Sequence, residues 1–191
     1  LSLLAACAGF IANISQVALF RFFMGQFYGT EIHLGMFLSI WLLGIAIGSF
    51  AGGKVTVSPR SLLTVLFALP LLAVGMLFVG SQVLPAPDGG LLPFAPVAAF
   101  MLVIVTPISL LIGMLVPCLI RLSHKSLGYF YSLEAIGGFA GGVFFSLVLG
   151  GKADAILCLM ILPLLPLAAL TLISSRKKIP AMLTLLIAPA V

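Results

Sequence analysis

Apolar residues in this chain do not alternate with polar ones, and they do not recur as narrow helical stripes. They run on, span after span, between short polar interruptions. About 20 consecutive apolar residues cross the hydrocarbon of a bilayer as a helix. Cut at its charged and turn residues, the chain predicts spans at roughly 3–27, 34–53, 61–83, 95–120, 128–149 and 155–174. A seventh apolar stretch, 179–191, is too short to cross as it stands. Backbone polar groups find no water in lipid, so each span must be helical. Continuous apolar runs exclude a β-barrel, whose strands alternate. The expected fold is therefore all-α: a polytopic membrane bundle of six full transmembrane helices over residues 1–178, followed by the start of a further truncated helix at 179–191.

Composition removes the alternatives. Of the 191 residues, 63% are hydrophobic and 7% charged. Too few polar side chains exist to cover a water-soluble fold, and too many apolar ones for disorder. The net charge is +5, but the basic residues are scattered and not interleaved with aromatics, so nucleic-acid binding is not expected. Cys7, Cys118 and Cys158 stand far apart in apolar runs, which predicts inert buried thiols and neither a zinc site nor a disulfide framework. The chain starts at Leu1 and stops at Val191 inside an apolar stretch, as a fragment of a longer protein would.

Charge orients the spans. Lys54 and Arg60 follow the second, Arg121, His124 and Lys125 the fourth, and Arg176, Lys177 and Lys178 the sixth. The intervening loops hold Glu31 with His33, Asp88, and Lys152 with Asp154. Seven of the nine Lys and Arg residues thus share one side, which the positive-inside rule makes cytoplasmic. The N-terminus is expected inside.

Glycine sets the expected packing. Gly44, Gly48 and Gly52 stand four apart in the second span, and Gly137/Gly141 and Gly138/Gly142 in the fifth. Such ladders let backbones approach where lipid gives no hydrophobic drive. The Gly44/Gly48/Gly52 and Gly138/Gly142 faces are each expected against another helix. Each ladder lies in the middle helix of a three-helix half. Gly52-Gly53-Lys54 matches Gly150-Gly151-Lys152, Arg21 matches Arg121, and Pro70 matches Pro163. Three spans per half would invert the second copy, giving a 3+3 inverted repeat of the kind used by secondary transporters. Pro107, Pro117, Pro163 and Pro166 also fall inside spans and free backbone carbonyls there.

Two stretches carry a resemblance. One is Gly9-Phe10, Gln16, Arg21, Gly29, Phe37-Leu38, the run Leu43 to Ser49, and Gly52-Gly53. The other is Gly113-Met114-Leu115-Val116-Pro117, Gly128-Tyr129-Phe130-Tyr131 running on to Gly137-Gly138, Gly141-Gly142 and Leu149-Gly150-Gly151. Together they resemble the membrane region of the polytopic spermidine synthase-like proteins, bacterial proteins that join a major-facilitator-like helical region to an aminopropyltransferase-type domain. The resemblance covers about half the chain. It implies a bacterial inner (plasma) membrane location and a polyamine-type context. It departs in two places. The family often has Glu where Gln16 stands, and the catalytic half, with its Gly-rich cofactor loop, is absent. This chain alone is not expected to transfer an aminopropyl group.

Candidate chemistry is sparse. Whether the chain has any part in an enzyme is left open, because it holds no catalytic motif. No catalytic, cofactor-binding or metal-binding residue is expected, and no cofactor. His33 near Glu31 gives two ligands at most and reads as a solvated loop pair, and His124 as an interfacial side chain. Gly89-Gly90 after Asp88 precedes no dinucleotide-type helix. A charge at membrane depth must face protein or water, so Glu134 and Arg21, with the polar Gln16 and Tyr131, are the intramembrane candidates. Arg21 falls near the outer interface with Glu31 as a plausible partner. Glu134 is expected to face the bundle and to meet Lys54, Arg60 or Arg121. Two functions fit: a membrane scaffold holding a soluble domain, or a transporter-like module for a small, polyamine-type substrate. The alternative to both is a secondary-transporter half unrelated to polyamines. A scaffold has a dry core and a transporter a polar cavity. The expected partners are lipid, the aminopropyltransferase-like domain that the resemblance implies, and a second copy in a homo-oligomer.

Overall fold

The computed structural model describes residues 1–26, 30–83, 94–123, 126–149, 155–162 and 164. Among these the chain is all-helical. In order come α1 (Ser2–Gln26), α2 (Glu31–Gly52), α3 (Pro59–Val83), α4 (Phe94–Ser123), α5 (Leu127–Phe144) and α6 (Ala155–Ile161). A π-helical turn, Phe145–Leu149, continues α5. Four of these stretches, Ser2–Gly25, Glu31–Gly52, Phe94–Ser123 and Leu127–Val148, are long and apolar enough to cross a membrane. In α3 the apolar stretch is the shorter Thr64–Val79. Most of the sixth expected span and all of 179–191 lie outside the described residues.

Local chemistry explains the helix ends. Thr30 caps α2: its backbone is extended, and its hydroxyl accepts from the His33 N–H at 3.4 Å. The same hydroxyl lies 2.8 Å from His33 Nδ1. His33 is therefore a buried first-turn residue and not the solvated loop histidine its neighbours predict. The cap fixes the helix start and draws the imidazole inward, while Glu31 stays exposed. At the other end, the Gly53 N–H closes on Ser49 O and the Lys54 N–H on Ala51 O. Pro70 sits inside α3, and Pro107 and Pro117 inside α4, without ending either helix.

The helices pack as two intimate pairs, α1 with α5 and α2 with α4. α1 and α4 are the central members, buried on several faces. α2 is peripheral. Its buried residues form one narrow stripe, His33, Phe37, Trp41, Gly44, Gly48 and Gly52. Leu42, Leu43 and Phe50 on its other faces are exposed, as lipid-facing side chains would be. α5 is built alike, with Phe130, Gly137 and Gly141 buried and Ile136 and Phe139 exposed. One aromatic cluster ties three helices together. The Phe23 ring lies 5.9 Å from Phe37 and 5.7 Å from Phe100. Phe37 in turn stacks on Trp41.

Candidate functional site

Two seams, α1–α5 and α2–α4, hold glycines that admit another backbone. On α2, a Cβ at Gly44 would overlap the Ser109 hydroxyl, and one at Gly48 the Leu110 carbonyl. At Gly52 it would stand 2.7 Å from Met114 O. In return, a Cβ on Gly113 of α4 would overlap the Ile45 carbonyl. On α5, a Cβ at Gly137 would overlap the Ala6 carbonyl, and one at Gly141 would stand 2.8 Å from Phe10 O. Gly9 of α1 meets the Glu134 carbonyl in the same way. Real Cβ atoms do not sit at such distances from backbone, so these positions require glycine, except Gly44, where the obstacle is the Ser109 side chain.

Both seams are parallel and share one register. Gly137 and Gly141 climb α1 from Ala6 to Phe10, and Gly48 and Gly52 climb α4 from Leu110 to Met114. Gly9 faces Glu134, three residues before Gly137, and Gly113 faces Ile45, three before Gly48. A shift of 104 residues carries the α1 side of one seam onto the α4 side of the other, and a shift of 89 carries α2 onto α5. The buried Trp41 then matches the buried Phe130. Sequence reasoning missed the signal for this register. Residues 46–53 read Ala-Ile-Gly-Ser-Phe-Ala-Gly-Gly and residues 135–142 read Ala-Ile-Gly-Gly-Phe-Ala-Gly-Gly, identical at seven of eight positions. The match of Gly52-Gly53-Lys54 with Gly150-Gly151-Lys152 competes with it. The packing equates Gly52-Gly53 with Gly141-Gly142 instead, and Arg21 is not the counterpart of Arg121.

Gly138 and Gly142 behave differently from Gly137 and Gly141. A Cβ at Gly138 would meet nothing nearer than Gly9 O at 3.6 Å, and at Gly142 nothing nearer than Asn13 Oδ1 at 3.5 Å. Those are ordinary contacts. The face expected to press on a helix instead lines a groove of about 480 Å³ with Asn13 and Ser146.

Polar groups in the seams are few. Pro117 has no N–H to offer Gly113 O one turn earlier. The Ser49 hydroxyl donates to that carbonyl from the neighbouring helix at 3.1 Å. This is how a proline is tolerated at membrane depth. Ser109 donates back to Val105 O and Thr106 O within α4. Asn13 Oδ1 and Ser15 Oγ are buried without a partner.

The four intramembrane candidates are not brought together. Arg21 is exposed, with its guanidinium over the Phe145 ring, 5.5 Å from the centroid. Its contact is thus an aromatic ring and not Glu31. Gln16 and Glu134 are half-buried. The described cations expected to reach Glu134 are engaged elsewhere. Arg121 donates to Gly53 O, and the Lys54 ammonium lies 4.0 Å from the Phe50 ring centroid. Both serve the end of α2: the α2–α4 packing brings Arg121 there, and Lys54 follows Gly53 directly in the chain. The Arg60 side chain lies outside the described residues. Tyr131 is 41% exposed. The tyrosine that links helices is Tyr129, whose hydroxyl pairs with Ser2 Oγ at 2.9 Å.

No described cluster of His, Cys, Asp or Glu could hold a metal ion. His124, Asp88, Gly89 and Gly90 lie outside the described residues. A cavity of about 780 Å³ opens between α3 and α4 and is lined by apolar residues such as Leu72, Met76, Phe100 and Val103. Where α1, α3 and α4 meet, the space is about 10 Å³, bounded by Leu4, Ala8, Leu66, Leu115 and Leu119. No protein-family model, curated protein or solved structure matches the chain.

Proposed function

We propose that this chain is a membrane scaffold of the kind its resemblance to spermidine synthase-like proteins implies. It crosses the bacterial inner membrane six times with its N-terminus in the cytoplasm and holds a soluble aminopropyltransferase-type domain, outside this chain, at the cytoplasmic face. The observation that carries the reading is the dry junction of α1, α3 and α4. Leucine and alanine close it to about 10 Å³, too little for a solvated substrate. A transporter needs a polar, roomy path at this depth.

The six spans form a 3+3 inverted repeat in this reading. The common register of the two seams supports it. Exchanging α1 with α4 and α2 with α5 maps one seam on the other, and an odd number of spans per half inverts the second copy. The same symmetry favours the second reading, a transporter-like module for a small, polyamine-type substrate, since alternating access rocks such units against each other.

Spin labels on the two seams separate the readings. Phe50 and Phe139 occupy equivalent positions and are 69% and 75% exposed. Labelled as cysteines in proteoliposomes, they should give one narrow distance distribution for a scaffold, unchanged by spermidine or a pH gradient. A second distance that grows under either condition would favour the transporter.

A further inference from the structure

We propose that the cytoplasmic half of the lipid-facing side of α2 is a binding site for an anionic phospholipid of the inner leaflet. Lys54 and Arg121 receive its phosphate, and the stripe Leu43, Ile47 and Phe50 carries its acyl chain. The inference rests on the membrane reading above and deepens it by naming a lipid that the scaffold holds.

The stripe has the outline of one lipid. Leu43, Ile47, Phe50 and Lys54 follow one another at spacings of four, three and four, which keeps them on one helix face. Gly53 retains helical backbone angles, φ −65° and ψ −19°, so Lys54 stays in register past the last turn. Leu43, Ile47 and Phe50 are all exposed, on the side away from the buried Trp41, Gly48 and Gly52. From Leu43 to Lys54 the helix rises about 16 Å, roughly half of the ~30 Å hydrocarbon thickness. The surface is thus about one leaflet long, apolar along its length and cationic at its cytoplasmic end.

Charge selects the occupant. Two cations gather at this end of α2. Arg121 reaches across from α4 to donate to Gly53 O, which uses one of its several N–H donors. Lys54 does something else. Its ammonium lies 4.0 Å from the centroid of the Phe50 ring. A lysine at a membrane boundary ordinarily extends toward water. Here it turns onto the stripe, so its charge is offered to whatever lies along Phe50. Among the described residues no carboxylate pairs with either cation: Glu31 stands at the opposite end of α2, and Glu134 on α5 in the other seam. An acidic soluble protein is a poorer match, because the ammonium faces the bilayer side and not the cytoplasm. A second copy docked by the same face would bring two more cations to the same depth. A zwitterionic lipid brings its own cation beside the phosphate. An anionic head group brings the missing charge alone, and basic sites at the cytoplasmic ends of membrane helices take such head groups. The equivalent stripe on α5 keeps Ile136 and Phe139 but has Val143 in place of Lys54, so it offers lipid no charge.

The test uses the full chain in mild detergent, titrated with phosphatidylglycerol or phosphatidylcholine of the same acyl chains and read by native mass spectrometry. Wild type should hold phosphatidylglycerol more tightly than phosphatidylcholine. Lys54→Gln should lower phosphatidylglycerol affinity about fivefold, the usual worth of one cation near an anionic lipid surface. It should leave phosphatidylcholine affinity unchanged, and Lys54→Arg should keep the wild-type preference. Arg121→Gln should act like Lys54→Gln; if loss of its bond to Gly53 prevents folding, the two Lys54 variants decide. Soluble glycerophosphate should not displace the lipid, because the apolar stripe carries the rest of the contact. Equal affinity of wild type for the two lipids overturns the proposal and leaves the cations to an acidic protein surface. A preference untouched by Lys54→Gln overturns it too, since the selective cations then lie elsewhere. Displacement by glycerophosphate at the concentration of the lipid would mark a plain phosphate site and reject the lipid. Each of these failures leaves the single-chain spin-label distances unaffected, so it is distinguishable from failure of the scaffold reading.

Discussion

Gly137→Leu and Gly48→Leu are each expected to abolish the folded protein, while Gly142→Ala leaves it intact. At Gly137 a side chain would enter the Ala6 carbonyl, and at Gly48 the Leu110 carbonyl. Both obstacles are helical backbone, which cannot step aside as the tip of a side chain can. Relief requires prising α5 from α1, or α2 from α4, and so loses the whole seam. The cost lies at or above the upper end of the roughly 1–3 kcal/mol usual for overpacking. Lipid does not offset it, since helix association in a bilayer depends on packing itself. Gly142 tests the specificity of the argument. Its Cβ would stand 3.5 Å from Asn13 Oδ1, so alanine fits. Monodispersity and thermal midpoint in detergent are the readouts. A Gly137→Leu variant that melts like wild type would place that glycine on lipid.

The second large effect is all-or-none labelling across the membrane. A cysteine placed at Asp88 should react with an impermeant maleimide from outside intact cells, and one placed at Lys177 only after permeabilisation. Both positions lie outside the described residues, but the charge distribution sets the expectation: seven of nine Lys and Arg residues fall in alternate loops. In the proposed six-span arrangement, three spans would separate the N-terminus from Asp88 and three more Asp88 from Lys177. The same odd count inverts one half relative to the other. Reversed labelling would reject the orientation. Labelling of both sites from one side would reject the inverted arrangement.

The helix boundaries were legible because punctuation was sparse and strong. The first five predicted spans begin and end within a few residues of the helices, and the sixth begins where α6 does, since charges, Thr30 and the loop glycines interrupt otherwise unbroken apolar runs. Helix rotation was less legible. Gly137-Gly138 and Gly141-Gly142 write two equal ladders on neighbouring faces, and only the partner decides which one packs. α1 takes Gly137 and Gly141 because its own Gly9 must meet the Glu134 carbonyl, on the Gly137 side of α5. The polar candidates were picked by charge. Charge alone drew attention to Arg21 and Glu134, whereas Asn13 and Ser49, uncharged, stand where the helices cross. Ser49 could have been found by asking what satisfies the carbonyl freed by Pro117. His33 was misread because its sequence neighbour Glu31 suggested solvent, when Thr30 three residues before it is an N-cap that turns it inward. The repeat of residues 46–53 at 135–142 was present all along, hidden by a shorter Gly-Gly-Lys match elsewhere.

The dry interior is the claim on which the scaffold reading stands, and the native thiols report on it without any substitution. Cys7, Cys118 and Cys158 are 8%, 1% and 1% exposed. In proteoliposomes, a water-soluble maleimide should leave all three unmodified, with or without spermidine or a pH gradient, until detergent denaturation exposes them. A cysteine placed at the exposed Ser58 is the positive control. Mass spectrometry of the intact protein counts the adducts. No adduct before denaturation is the predicted result, and modification of Cys7 or Cys118 in the folded protein, induced by spermidine or the gradient, would contradict it.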